Sequence, residues 1–206
     1  MRTRRIFINQ IIKLMKKYQL LVIIVVFCCN ACNLAQEHKK EAERLNNKAI
    51  KLSSESFEST KLMKSVELLD SSIAIDSNYI LAYSNKISVL YELKQYKNIL
   101  TTIEKMAEHS TDMAYLFMVK GVAYLSLKQN QDAELSLKEA FKMASKMDTP
   151  QNKQMYFHLY AYFYGKQSSV TELSRALTAG KIIKKEYSSI SETILYLDED
   201  NILGID

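Results

Sequence analysis

Residues 82–99 can be laid over residues 116–133 at a spacing of 34 without a gap. Tyr83 falls on Phe117, Lys86 on Lys120, Leu93-Lys94-Gln95 on Leu127-Lys128-Gln129, and Ile99 on Ala133. A self-match at a fixed period of this size marks a chain that folds by stacking copies of one small unit, none of which can bury its apolar face alone. Inside the period, apolar residues recur at helical spacing with a polar break near the middle, so the unit is two helices joined by a tight turn. The composition agrees. Four Gly and one Pro in 206 residues leave few helix interruptions, and 48% apolar residues suffice for a core.

Read in this frame, repeat two spans 80–113 and repeat three 114–147, with turns at Lys94-Gln95 and Lys128-Gln129-Asn130. Repeat one spans 42–79 and carries four extra residues in its turn, within 53–60. Thr149-Pro150 restarts the chain, Thr as N-cap and Pro at the first helical position. One helix is expected over 150–164, ended by Gly165, and a second over 168–186. Together with residues up to 206 these make a degenerate fourth pair and C-terminal cap, and Ser189–Leu197 is a candidate further helix. Terminal repeats are atypical because they close the exposed end of a stack.

The small and large positions carry a resemblance. Repeat three has Phe117, Gly121, Tyr124, Ala133, Leu137 and Ala140; repeat one has Leu45, Ala49, Leu52, Ser65, Leu69 and Ser72; repeat two has Tyr83, Ile87, Leu90, Ile99, Ile103 and Met106. This pattern resembles the tetratricopeptide repeat family. It implies an all-α fold, a right-handed superhelical stack of antiparallel helix hairpins (an α-solenoid). Ile87, Ile99 and Met106 stand where the family has small residues, so repeat two should pack less closely. Ser77, Thr111 and Ser145 replace the usual proline.

The resemblance also implies a concave groove, lined by the first helix of each hairpin, that holds a protein or peptide partner. Carried over by position, its residues are Glu43, Asn46 and Ile50 in repeat one. In repeat two they are Leu81, Ser84, Ser88 and Tyr91, and in repeat three Tyr115, Met118, Val122 and Leu125. The third set is apolar, which fits either a hydrophobic ligand segment or a covering helix from the C-terminal part of the chain. The Lys/Asn/Arg clamp by which some members grip a C-terminal carboxylate is absent from these positions.

Charge points away from nucleic acid. Residues 1–31 carry Arg2, Arg4, Arg5, Lys13, Lys16 and Lys17 and no acid; taking +6 from the chain's +5 leaves the other 175 residues at −1. A phosphate backbone requires a basic face on the folded part. The basic stretch, the apolar run Leu20–Phe27 and the small residue Ala31 have the layout of a secretory signal, with Met15 as an alternative start. The run is short of the ~20 apolar residues a spanning helix needs.

All three cysteines, Cys28, Cys29 and Cys32, lie within five positions, unlike a disulfide framework or a zinc site. The segment resembles a bacterial lipobox, which implies a lipid on Cys32, a tether over 32–41, and a lipid-anchored protein of the cell envelope, at the outer membrane. A plain signal peptide or uncleaved anchor with incidental cysteines is the alternative.

Met155–Tyr164 is the densest aromatic stretch, with Tyr156, Tyr160 and Tyr164 on one helical face. Such a ridge serves as core or cap, or as a self-association surface. His38, His109 and His158 are far apart, and no phosphate loop, nucleophile elbow or body cysteine is present. No catalytic, metal or cofactor site is therefore expected. The functional expectation is a membrane-anchored, non-catalytic protein-binding repeat protein, with an accessory subunit of a cell-envelope assembly or transport machine as the alternative.

Overall fold

The computed structural model describes residues 36–196, all of whose regular structure is helical. The basic and apolar leader, Cys28, Cys29, Cys32 and the end of the chain from residue 197 lie outside the described residues. Helix α1 covers residues 36–55. It is followed by α2 (Ser59–Ile75), α3 (Ile80–Glu92), α4 (Tyr96–Ala107), α5 (Met113–Ser126), α6 (Asn130–Ala144), α7 (Pro150–Tyr164), α8 (Lys166–Thr178) and α9 (Lys184–Tyr196). Residues 36–41 were expected in the tether; they already belong to α1.

Consecutive helices pair as antiparallel hairpins: α1 with α2 through the Ser65–Ala49 and Ser72–Ala42 hydrogen bonds, then α3 with α4, α5 with α6 and α7 with α8. Each hairpin's second helix also packs on the first helix of the next, α2 on α3, α4 on α5 and α6 on α7, while α9 closes the stack against α8 and α7. One apolar cluster sits at each joint. Ala49, Leu69, Ala82 and Val89 lie at the first, and Tyr83, Leu90, Ile103 and Leu116 at the second. Leu137, Ala140, Met155 and Leu159 fill the third, and Phe157, Leu173, Ile190 and Ile194 the last. No hairpin has a private core, as stacked units of this size require.

The turns are set by backbone chemistry. Lys94 and Lys128 take the left-handed conformation, φ 54° and 60°. Behind them the N–H of Gln95 returns to the Leu90 carbonyl, and that of Gln129 to the Tyr124 carbonyl, both at 2.9 Å. This is the Schellman closure of α3 and α5, built on lysine where glycine is the usual choice. Thr149 caps α7 by accepting the Asn152 N–H at 3.0 Å, with Pro150 in the first turn.

A single helix over 168–186 does not form. Helix α8 ends at Thr178, where left-handed Gly180 (φ 69°) lets the Lys181 N–H reach the Ala176 carbonyl at 2.9 Å. Ile182 then turns inward and is buried, so the chain reverses and α9 begins at Lys184.

The small positions explain how closely hairpins approach. At Gly121 an added Cβ would stand 2.6 Å from Leu137 Cγ, and α5 and α6 are apposed over a longer contact than α3 and α4. Between α3 and α4 the bulky Ile87, Ile99 and Met106 are all buried and hold the helices further apart. At the other hairpins serine does more than stay small. Ser65 donates to the Ala49 carbonyl (2.8 Å), Ser72 to that of Ala42 (2.7 Å) and Ser169 to that of Phe157 (2.6 Å). Each bond pins a second helix to its first through a buried hydroxyl that would otherwise be unsatisfied.

Candidate functional site

Helices α3 and α5 carry the expected groove residues, and the structure divides them into open and covered ones. Leu81, in the first turn of α3, is 52% exposed, and Ser88 on the same helix is exposed. Ser84 and Tyr91 are half-buried, the latter with its ring edge-on to Tyr96 at 5.7 Å. Burial raises the Tyr115 phenol above the ordinary tyrosine range, against which the nearby Ser84 hydroxyl acts, while Ser84 itself donates to the Ile80 carbonyl at 3.4 Å. Leu81, Ser84, Ser88, Tyr91 and Tyr115 thus form an apolar and hydroxyl-bearing surface.

Met118, Val122 and Leu125 are half-buried. Met118 and Leu125 pack against the cluster to which α7 contributes Met155 and Leu159. The apolar third set is therefore partly covered by the following hairpin and partly available.

Asn46, expected on the groove, is 1% exposed. Its carbonyl oxygen accepts the Asn85 amide at 2.7 Å, and its own amide donates to Asn47 Oδ1 at 3.3 Å. The burial has a simple cause: α3 packs over this part of α1, and an amide enclosed there must find a partner. Asn46 is a structural polar pair with Asn85. Nothing in the sequence distinguished it from an exposed groove asparagine, because its partner lies 39 positions away.

The aromatic ridge is mostly internal. Tyr156 stacks on Phe141 of α6 at 5.0 Å and 9° between planes, and Tyr160 and Phe163 meet the same ring edge-on. Tyr160 continues the ladder to Tyr164 at 4.7 Å, and Tyr164 is 57% exposed. The ridge is thus the contact between the third and fourth hairpins, with one open end. His158, half-buried on α7, has its pKa lowered by desolvation, against which its hydrogen bond with the Gln154 backbone acts. It is neutral at pH 7.

An open cleft of about 430 Å³ lies where the first turns of α5 and α7 meet the end of α6. It is lined by Asp112, Met113, Met143, Lys146, Asp148 and Asn152, among others. Two of these side chains are occupied by the fold: Asp112 caps α5 through the Tyr115 N–H, and Asp148 accepts the Asn152 amide at 2.6 Å. Among the described residues no group of three His, Cys, Asp or Glu is placed to hold a metal ion. Among the same residues no helix is long and apolar enough to cross a membrane.

No protein-family model and no curated protein matches the chain. Among solved structures, the crystal structure of YrrB, a TPR protein with an unusual peptide-binding site, is 18% identical. The match covers 83% of this chain and 89% of that one, with a TM-score of 0.44.

Proposed function

We propose that this protein is a non-catalytic docking scaffold of the tetratricopeptide type, which holds an extended segment of another protein against the first helices of its second and third hairpins. The observation that carries this reading is the face of α3 and α5. Leu81 and, two turns further along α3, Ser88 stand exposed, and the half-buried Ser84 of α3 and Tyr115 of α5 add hydroxyls that lie near each other. An apolar anchor beside adaptable hydroxyls suits a peptide that offers one apolar side chain and backbone polar groups. We further propose that a lipid on Cys32 keeps the scaffold at a membrane of a bacterial cell envelope. That placement rests on the signal-like segment and the small residue before the cysteine. A tethered scaffold raises its partner's local concentration at the surface without any chemistry of its own.

The test is a crosslinked pull-down with the full chain beside a Leu81→Asp, Ser88→Lys pair. Both positions are exposed, so far-UV circular dichroism should be unchanged while capture is lost. Undiminished capture by the pair would sink the groove assignment. A single stoichiometric partner would identify a machine subunit, and a set of diverse clients an adaptor. Self-association through Tyr156, Tyr160 and Tyr164 has a narrower basis, since Tyr164 alone of the three is exposed. Sedimentation of Tyr164→Ala beside the parent tests it, and a shift to slower species would support it.

A further inference from the structure

We infer that the solenoid stands end-on at the membrane, with the outward face of α1 lying on anionic phospholipid headgroups. This rests on the proposed lipid at Cys32. Residue 36 is already helical, so four residue steps separate it from Cys32. A chain that short spans at most about 14 Å even when fully extended. A lipid seated in the bilayer therefore holds the start of α1 close to the headgroups.

Helix α1 is the end of the stack among the described residues, and its two faces differ sharply. Ala42, Asn46 and Ala49 point into the hairpin and are buried. On the opposite side Lys40, Arg44, Lys48 and Lys51 are all exposed, at the spacing that forms one helical stripe. The acids near this stripe are Glu37, Glu41 and Glu55. Glu41 is engaged by Arg44 at 2.7 Å, and Glu55 stands 3.9 Å from Lys51. Both pairs are solvent-exposed, with side-chain exposures of 60% and 45% in one and 80% and 53% in the other. Ion pairs in that setting are weak and exchange readily for a phosphate. No large apolar side chain is exposed on α1, so the contact is electrostatic and does not involve insertion. A basic stripe beside an acyl anchor is the two-signal arrangement that holds a protein firmly at an anionic surface. It also leaves the groove face of α3 and α5 turned sideways to the bilayer, open to partners.

The experiment uses the full chain purified with its lipid, after mass measurement of the Cys32 fragment. A fluorophore is placed at the exposed Ser54→Cys on α1, which spares the four stripe cations, or at Ser188→Cys on α9 as the far-end control. The protein is incorporated into phosphatidylcholine vesicles with or without phosphatidylglycerol, each carrying a headgroup nitroxide quencher. We expect the α1 label to be quenched and the α9 label not, with quenching lost in pure phosphatidylcholine. It should also be lost on combining Lys40→Glu, Arg44→Glu and Lys51→Glu. An acylated chain whose α1 label is quenched no more than its α9 label overturns end-on docking and leaves the anchor standing. Quenching that survives charge reversal overturns it equally. A chain without acyl mass on Cys32 overturns the anchoring proposal itself, and the docking with it.

Discussion

Replacing Gly121 by alanine sets two opposing effects against each other. In an unconstrained helix, Gly→Ala gains about 1 kcal/mol from lost unfolded-state freedom and better helix propensity. Here the new Cβ falls 2.6 Å from Leu137 Cγ and 2.7 Å from its Cδ2, with the Ala133 carbonyl oxygen 3.3 Å away. Leu137 is fully buried, so it cannot swing aside, and the Ala133 contact is backbone. Overpacking a filled core costs about 1–3 kcal/mol. Because the clash lies well inside contact distance, the upper part of that range applies, and the net loss should be about 1–2 kcal/mol after the propensity gain. For a chain of this length that lowers Tm by roughly 2–8 °C.

Urea denaturation followed by far-UV circular dichroism measures the loss, with an unchanged slope showing that stability alone has shifted. A double-mutant cycle locates the cause. Leu137→Ala should cost about 2–5 kcal/mol in the parent and about 1–2 kcal/mol less in the Gly121→Ala background, where the methyl fills part of the space vacated. If Gly121→Ala instead raised stability by about 1 kcal/mol, the close approach of α5 and α6 would be wrong.

Three further outcomes are expected. Lys94→Gly and Lys128→Gly should each stabilise by about 0.5–1 kcal/mol in the same denaturation assay, because glycine takes the left-handed turn without strain. Asn85→Ala should cost about 1–3 kcal/mol, since it leaves the buried Asn46 oxygen unpaired, and the Asn46→Ala, Asn85→Ala double variant should lose less than the sum of the singles. Glu186 accepts the Ile183 N–H and pairs with Lys153, and in that order these hold its carboxyl below the usual range. Its contribution is complete above the unfolded pKa and fades as pH falls through the lower folded value. The Tm deficit of Glu186→Gln should therefore be full at neutral pH and shrink below about pH 4.

The helical hairpin and its frame were legible because both are local. A 34-residue self-match, the apolar spacing within it, and Thr149-Pro150 each act through neighbours a few positions away. Gly121 was readable for the same reason, as the small member of a repeated small-large set. The break at Gly180 was present in the sequence as a glycine before Lys181. It became decisive only because burial of Ile182 turns the chain back. Repeat two shows the middle case: Ile87, Ile99 and Met106 announced a wider hairpin, but only packing showed that all three stay buried.

What tertiary structure decided is which polar groups face inward. Asn46 and Leu81 both read as groove residues by position, yet one is enclosed beside Asn85 and the other projects into solvent. Ser65 and Ser72 read as small spacers, yet each donates across its hairpin to a carbonyl 16 or 30 positions away, and Ser169 does the same over 12 positions. The tyrosines of α7 became an inter-repeat contact because Phe141 of α6 lies beneath them. Periodicity tells which side of a helix is apolar. How much of the other side is covered depends on the crossing of the next hairpin, and that is set by contacts between residues far apart in the chain.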